Sequence, residues 1–252
     1  MPESITHAVV LFAVAFVANG FAAMAGGGVG LIQLPALLLL GLPFSQALAT
    51  HKVASVALGL GSAGRYARRT TFERTLFFVM LAAGVPGALI GALAMLVIPG
   101  NAARWVLGFL TISLGLYSLS RRNMGQEYEP RHRDAAGLAI GAAVLFGIGL
   151  LNGSITAGTG LFSTLWLVRW FGLDYKRAVA YTLTFVGIAW NATGAVALGA
   201  FGAVAWSWLP PLLAGALAGS YTGAHVALGR GNKWIKTAFE MVTIAVGARL
   251  LF

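Results

Sequence analysis

Apolar stretches of helical length follow one another along almost the whole of this chain, broken only by short loops, and no other feature constrains its folding as much. In hydrocarbon every backbone N–H and C=O must be satisfied within the protein, which leaves helices or closed barrels. No series of alternating ten-residue strands is present, so the pattern predicts an all-α polytopic membrane protein. The composition agrees: 58% of the 252 residues are hydrophobic, 10% are charged and the mean hydropathy is +0.82. Met1-Pro2-Glu3-Ser4 supplies no basic n-region before the first apolar run, so that run is expected to stay as an anchor rather than be cleaved.

A net charge of +10 suggests nucleic acid at first sight, but the bases lie in short loops between spans, not on a folded basic face. Cysteine is absent, and His7, His51, His132 and His225 lack metal-ligand spacing. No metal, no cofactor and no catalytic group is therefore expected.

Ten helical pieces are predicted, at about 5–24, 29–41, 44–66, 74–97, 102–119, 135–151, 159–172, 176–199, 203–227 and 233–251. Arg65, Arg68, Arg69 and Arg74, then Arg121, Arg122, Arg131 and Arg133, then Lys176 and Arg177, and finally Arg230, Lys233 and Lys236 fall in alternate loops. The positive-inside rule assigns those loops to the cytoplasm and both termini to the outer side, leaving Arg104 and Arg249 near the other face. Five passes per half make the halves, 1–119 and 135–252, inverted repeats joined by a cytoplasmic linker, 120–134, that reads as a solvated hinge. Matching segments support a duplication: Gly28-Val29-Gly30 with Gly158-Thr159-Gly160, Gly41-Leu42 with Gly172-Leu173, and Pro86 to Gly91 with Ala214 to Gly219.

Two glycine-rich breaks, Ala25 to Gly30 and Gly153 to Gly160, occupy corresponding places in the halves. The piece after each is too short to cross ~30 Å of hydrocarbon upright, so each half is expected to hold a Gly-broken helical hairpin near the midplane. The free N–H groups and positive dipole end of the following half-helix favour an anion at such a tip. Gly28 and Gly30, with Gln33 beyond them, and Asn152, Ser154, Thr156, Gly158, Thr159 and Gly160 are the candidate site residues there. The alternative is that these glycines only permit close packing, which is the preferred reading for Gly87, Gly91, Gly215 and Gly219.

Thr50, His51 and Lys52 come next. Counted from Pro43, Lys52 lies roughly 13 Å deep, near the bilayer middle, where an ionisable group ordinarily faces a cavity or a partner. With no carboxylate at that depth, it suits an anionic substrate; the alternative is a snorkelling or carbonyl-bonded lysine. His51 reads as a packing residue or a proton shuttle. The corresponding stretch of the second half offers the hydroxyls of Thr182 and Thr184. Trp190 and Asn191 fit either packing or the path. Glu240 is expected to pair with a nearby base, the alternative being a coupled proton.

These residues resemble the sulfite exporter TauE/SafE family of bacterial membrane proteins. The likeness rests on the Gly-Gly-Gly-x-Gly break followed by Leu31-Ile32-Gln33-Leu34-Pro35, on Gly41-Leu42-Pro43, on Ala47-Leu48-Ala49-Thr50-His51-Lys52 and on Tyr66-Ala67-Arg68-Arg69, with the second copy at Gly153 to Thr184. Many members carry Ala-Thr-Asn-Lys where this chain has Ala-Thr-His-Lys, which leaves the role of position 51 open. The resemblance implies export of sulfite, an organosulfonate or a related small anion across the bacterial inner membrane, and the charge pattern above then makes both termini periplasmic. An anion channel, a small-carboxylate transporter, a membrane-embedded enzyme and a scaffold subunit are the rivals. The expected partners are the small anion and the lipid bilayer. Trp166, Trp170, Trp206 and Trp208 fit an interfacial belt or a subunit contact, which leaves a homodimer open.

Overall fold

A computed structural model of the chain describes residues 5–94, 112–113, 116–120, 124–156, 158–201 and 204–251. These residues form helices and loops, with no strand among the described residues. Helices α1 (Ile5–Ala25), α2 (Val29–Leu39), α3 (Phe44–Ala67) and α4 (Arg74–Ala94) precede the polar segment; α5 (Ala135–Ser154), α6 (Thr159–Arg169), α7 (Tyr175–Gly199), α8 (Leu209–Arg230) and α9 (Asn232–Leu251) follow it. The expected pieces match these bounds to within three residues, with one exception. Helix α8 starts at Leu209 rather than near 203, because prolines occupy its first turn, where a missing N–H costs no hydrogen bond. The piece expected at 102–119 lies largely outside the described residues, as do Arg104, Arg121 and Arg122; residues 116–120 are helical.

Helices α1, α4, α5 and α7 are each long and apolar enough to cross a membrane. Helix α2, with 11 residues, rises only about 16 Å. The burial pattern fits a lipid solvent: Val9, Phe78, Val196 and Met241 are more than half exposed on the outside, while Asn19, Gln33, Thr50 and Lys52 are fully buried. Helix α1 lies along α8, and α4 along α5. Small residues set both approaches. A Cβ on Gly87 or Gly91 would sit 2.4 or 2.1 Å from the Phe146 or Leu150 carbonyl, and one on Gly215 or Gly219 would sit 2.4 or 2.1 Å from that of Phe12 or Phe16. The packing reading of these four glycines holds.

The described part of the polar segment is more than a solvated hinge. Glu129 N–H donates to the Gly172 carbonyl at 2.9 Å and Arg131 N–H to that of Phe171 at 3.2 Å, so backbone bonds lash it to the α6–α7 loop. His132 stacks on Trp170 with ring centroids 3.9 Å apart. Asn232 at the start of α9 donates to the Gln126 carbonyl at 2.9 Å and accepts from Lys176 N–H at 3.0 Å. Ahead of α4, Glu73 receives a two-pronged bond from Arg133, at 2.8 and 3.0 Å, and a third from the Tyr128 hydroxyl. Four basic loops thus meet at one end of the molecule.

Partial burial pushes the Glu73 carboxyl up, but the hydrogen bonds from Arg133 and Tyr128 and the charges of Arg133 and Arg177 outweigh it, holding it below the ordinary carboxylate range. A depressed acid stabilises the fold above its unfolded-state pKa, about 4.3, and loses that contribution as pH falls through the folded value. Glu73→Gln is therefore expected to cost about 1 kcal/mol at neutral pH, discounted for partial exposure, with the gap beginning to shrink only as pH falls below about 4. Apparent melting temperatures of both proteins in detergent from pH 3.5 to 8 check this; a pH-independent gap contradicts it.

Candidate functional site between the helix breaks

The two breaks share one backbone device. Gly26 and Gly27 N–H both bond the Ala22 carbonyl at 2.8 Å, closing α1; Ile155 and Thr156 N–H both bond that of Leu151, at 2.9 and 3.0 Å, closing α5. The chain then turns through left-handed backbone, Gly26 to Gly28 in the first break and Thr156 and Gly158 in the second. Thr156, at φ 62°, is a β-branched residue in a conformation such residues rarely adopt, and its hydroxyl accepts from Lys52. Helices α2 and α6 restart with no side chain capping their first N–H groups. The breaks touch: a Cβ on Gly27 would lie 2.6 Å from the Gly160 Cα, a distance only two glycines permit.

Around this contact the two halves enclose a cavity of about 20 Å³, walled by Gly28 and Gly30 from one break, Thr156, Thr159 and Gly160 from the other, and His51, Asn152, Thr182 and Asn191. No carboxylate lines it among the described residues. The volume is about what one water needs. Asn152 Nδ2 donates to Thr159 Oγ1 at 3.1 Å and to Asn191 Oδ1 at 3.3 Å, tying α5, α6 and α7. The Thr164 hydroxyl donates to the Gly26 carbonyl at 2.8 Å and lies 2.9 Å from that of Thr182, tying the first break to α6 and α7.

Lys52 is fully buried. Its Nζ donates to the Asn152 carbonyl at 2.6 Å and the Thr156 hydroxyl at 3.1 Å, with Asn152 Oδ1 at 3.5 Å. The lysine of the first half therefore holds the last turn of α5 in the second, where a cation also meets the negative helix end. This is the carbonyl-bonded alternative, with its carbonyl at the opposite break. Gly194 on α7 makes room: a Cβ there would be 2.7 Å from Lys52 Cδ.

His51 joins the cavity wall, its Nε2 3.2 Å from the Ser55 hydroxyl and its Nδ1 without a partner among the described residues. Five other candidates stand apart. Thr50 accepts from Ala205 N–H at 2.9 Å; Ser154 turns back to the Leu150 carbonyl at 2.9 Å; Gly158 caps α6 behind the wall; and Thr184 is half-buried with its hydroxyl unpaired among the described residues. Gln33 meets Asn19 instead, accepting from its Nδ2 at 3.0 Å. The Gln33 Nε2 and Asn19 Oδ1 of this buried pair have no partner among the described residues. Asn19, a lone amide in an apolar helix, was the available signal for that pair.

Other expectations settle into place. Trp190 packs on α4, its indole donating to the Met80 carbonyl at 3.0 Å, while Asn191 reaches the cavity. Glu240 pairs with Lys236, as expected, and also accepts from Ser118 at 2.9 Å. Unforeseen is the backbone of α7, whose hydrogen bonds follow a π-helical register from Thr182 to Trp190, the stretch that faces the cavity.

Comparison with known proteins places the chain in a family. The family model described as Sulfite exporter TauE/SafE matches residues 11–250. The chain is 33% identical over 242 residues to the probable membrane transporter protein ORF9 of Sinorhizobium sp, covering 96% of this chain and 91% of that one. It is 28% identical to the probable membrane transporter protein YfcA of Escherichia coli K12, over 96% of this chain and 89% of the relative, and 28% identical to a probable membrane transporter protein of Haemophilus influenzae, over 96% and 94%. No solved structure matches. A match of that extent, over helices and breaks alike, means that the chain belongs to the sulfite exporter TauE/SafE family.

Proposed function

We propose that this membrane transporter is a secondary carrier that exports a small sulfur-containing anion, sulfite or an organosulfonate, by alternating access at a site shared by two inverted repeats. One observation carries the reading: two uncapped helix N-termini, one from each break, converge on a single carboxylate-free cavity beside a buried lysine. N–H dipoles, hydroxyls and amides are the donors an oxyanion needs, and Lys52 is the charge that balances it. To bind, the anion replaces the Asn152 carbonyl as the lysine's acceptor.

The inverted repeat is supported by exchanged contacts. The first helix of each half lies along the fourth of the other, through Gly215 and Gly219 on one side and Gly87 and Gly91 on the other. Elements that correspond also meet each other, at Gly27 with Gly160 and at Gly59 with Gly187. The basic loops gathered at one end are assigned to the cytoplasm and both termini to the periplasm. A 20 Å³ cavity is too small for sulfite, so on this reading the hairpin tips part from α3 and α7 to admit a substrate. The family description and the relatives' names favour a carrier over a membrane enzyme.

Proteoliposomes offered labelled sulfite, taurine-derived sulfonates, acetate and a cationic control test the substrate class. Saturable uptake confined to the sulfur oxyanions is expected; uptake of acetate alone makes the protein a carboxylate carrier, and uptake of the cation alone overturns the anion reading.

A further inference from the structure

Away from the breaks, at the arginine-rich end of the bundle, α3 and α8 leave a second cavity of about 620 Å³. Arg65, Arg68 and Arg69 line it from the last turn of α3 and just beyond, and Tyr221 and His225 line it from α8. No carboxylate is among its walls, and none of the three arginines forms an ion pair among the described residues. Positive-inside topology accounts for arginines at a helix end, but not for the way this one is held.

The Arg65 guanidinium lies over the Tyr221 ring, 3.8 Å from its centroid. Its Nη1 meets His225 Nδ1 at 2.6 Å; because a guanidinium only donates, the imidazole accepts there and keeps its proton on Nε2. Stacking and this bond fix the plane of the fork. The remaining edge is left over: Nε is buried and has no hydrogen-bond partner among the described residues. No acid balances its charge in the cavity wall among the described residues, and Arg68 and Arg69 add two more charges about one turn on, a set of donors that suits a phosphate.

The neighbours say where that phosphate comes from. Leu60 on the wall is 58% exposed and Tyr221 51%, and among the described residues no atom lies within 4 Å of where a Cβ on Gly64 or Gly229 would stand. An apolar, open flank running up to a basic pocket is the shape of a lipid, acyl chains along the helices and head group at the arginines. We infer that this cavity is a binding site for the phosphate head group of an anionic phospholipid in the leaflet on the arginine-rich side. The inference is independent of what occupies the cavity between the breaks.

The test is native mass spectrometry of purified protein released from detergent after exposure to phosphatidylglycerol, phosphatidylethanolamine or inorganic phosphate. Wild type is expected to retain phosphatidylglycerol at least about tenfold over phosphatidylethanolamine. Arg65→Gln combined with Arg68→Gln and Arg69→Gln removes that preference. Arg131→Gln combined with Lys176→Gln and Lys233→Gln, which takes away the same charge outside the cavity, leaves it within about twofold. Arg65→Lys, a point charge in place of a fork, gives an intermediate loss. Should the triple variant fail to fold, Arg65→Gln alone carries the comparison. Equal loss in both triple variants reduces the cavity to net charge and overturns the site. Tight binding of inorganic phosphate with no lipid preference overturns the lipid and makes the ligand a soluble anion.

Discussion

Lys52→Met is expected to abolish anion uptake into proteoliposomes while leaving a folded protein. The transport effect is large because truncating one partner of a buried charge pair costs roughly 2–5 kcal/mol, a loss of about 30-fold to several thousand-fold. The effect on the fold is smaller, for two terms oppose each other. The Asn152 carbonyl and Thr156 hydroxyl lose their donor, at about 1–3 kcal/mol, but the variant no longer buries an ammonium. An apparent melting temperature within a few degrees of wild type, together with uptake at the level of protein-free vesicles, is the predicted pair of results. Lys52→Arg is no rescue: Gly194 already stands tight against Cδ, so a wider guanidinium overpacks the gap between α3 and α7. Normal uptake by Lys52→Met would reduce the lysine to a structural clamp on α5.

The second large effect is at the contact between the breaks. Gly160→Ala asks for no unusual backbone angle, and at an open helical position the change stabilises by up to about 1 kcal/mol. Here the new Cβ lies 2.8 Å from Gly27 Cα and 3.2 Å from the Gly26 carbonyl oxygen, both backbone atoms that cannot rotate away. The tips must separate, at a cost of about 1–3 kcal/mol, and the two sets of N–H groups no longer face one space. Uptake is expected to disappear with a lowered melting temperature. Gly147→Ala, on α5 with nothing within 4 Å of its Cβ, is the matched control and keeps both uptake and stability. If Gly160→Ala behaves like that control, the breaks are not one site, as a mere scaffold subunit would predict.

Much of this was legible in the residues. The helices follow from apolar runs, and the ends of α2 and α6 from glycines where the backbone turns left-handed at Gly28 and Gly158. That Lys52 is buried could be expected from its place within one helix, because local spacing is all that needs. Its acceptor could not, since Asn152 is a hundred residues away and a carbonyl leaves no mark in a sequence. The linker was legible in part: charged side chains such as Glu127, Glu129 and Arg131 are as exposed as they read, but the backbone bonds from Glu129 and Arg131 that hold it leave no mark in a sequence. The π-helical register of α7 is a choice among hydrogen-bond partners, and nothing in Thr182 to Trp190 announces it. Thr50 and Ser154 carry the right chemistry for the site but aim it at Ala205 and Leu150, a matter of helix rotation that packing decides.

The most direct test of the carrier is accumulation. Wild-type protein is reconstituted, labelled sulfite is added at a fixed external concentration, and the internal concentration is followed with and without an imposed pH gradient. Alternating access at the cavity between the breaks predicts saturable uptake that rises above the external concentration only while the gradient lasts. Uptake that stops at equal concentrations under every gradient would contradict a coupled carrier and make the two helix ends the lining of a channel.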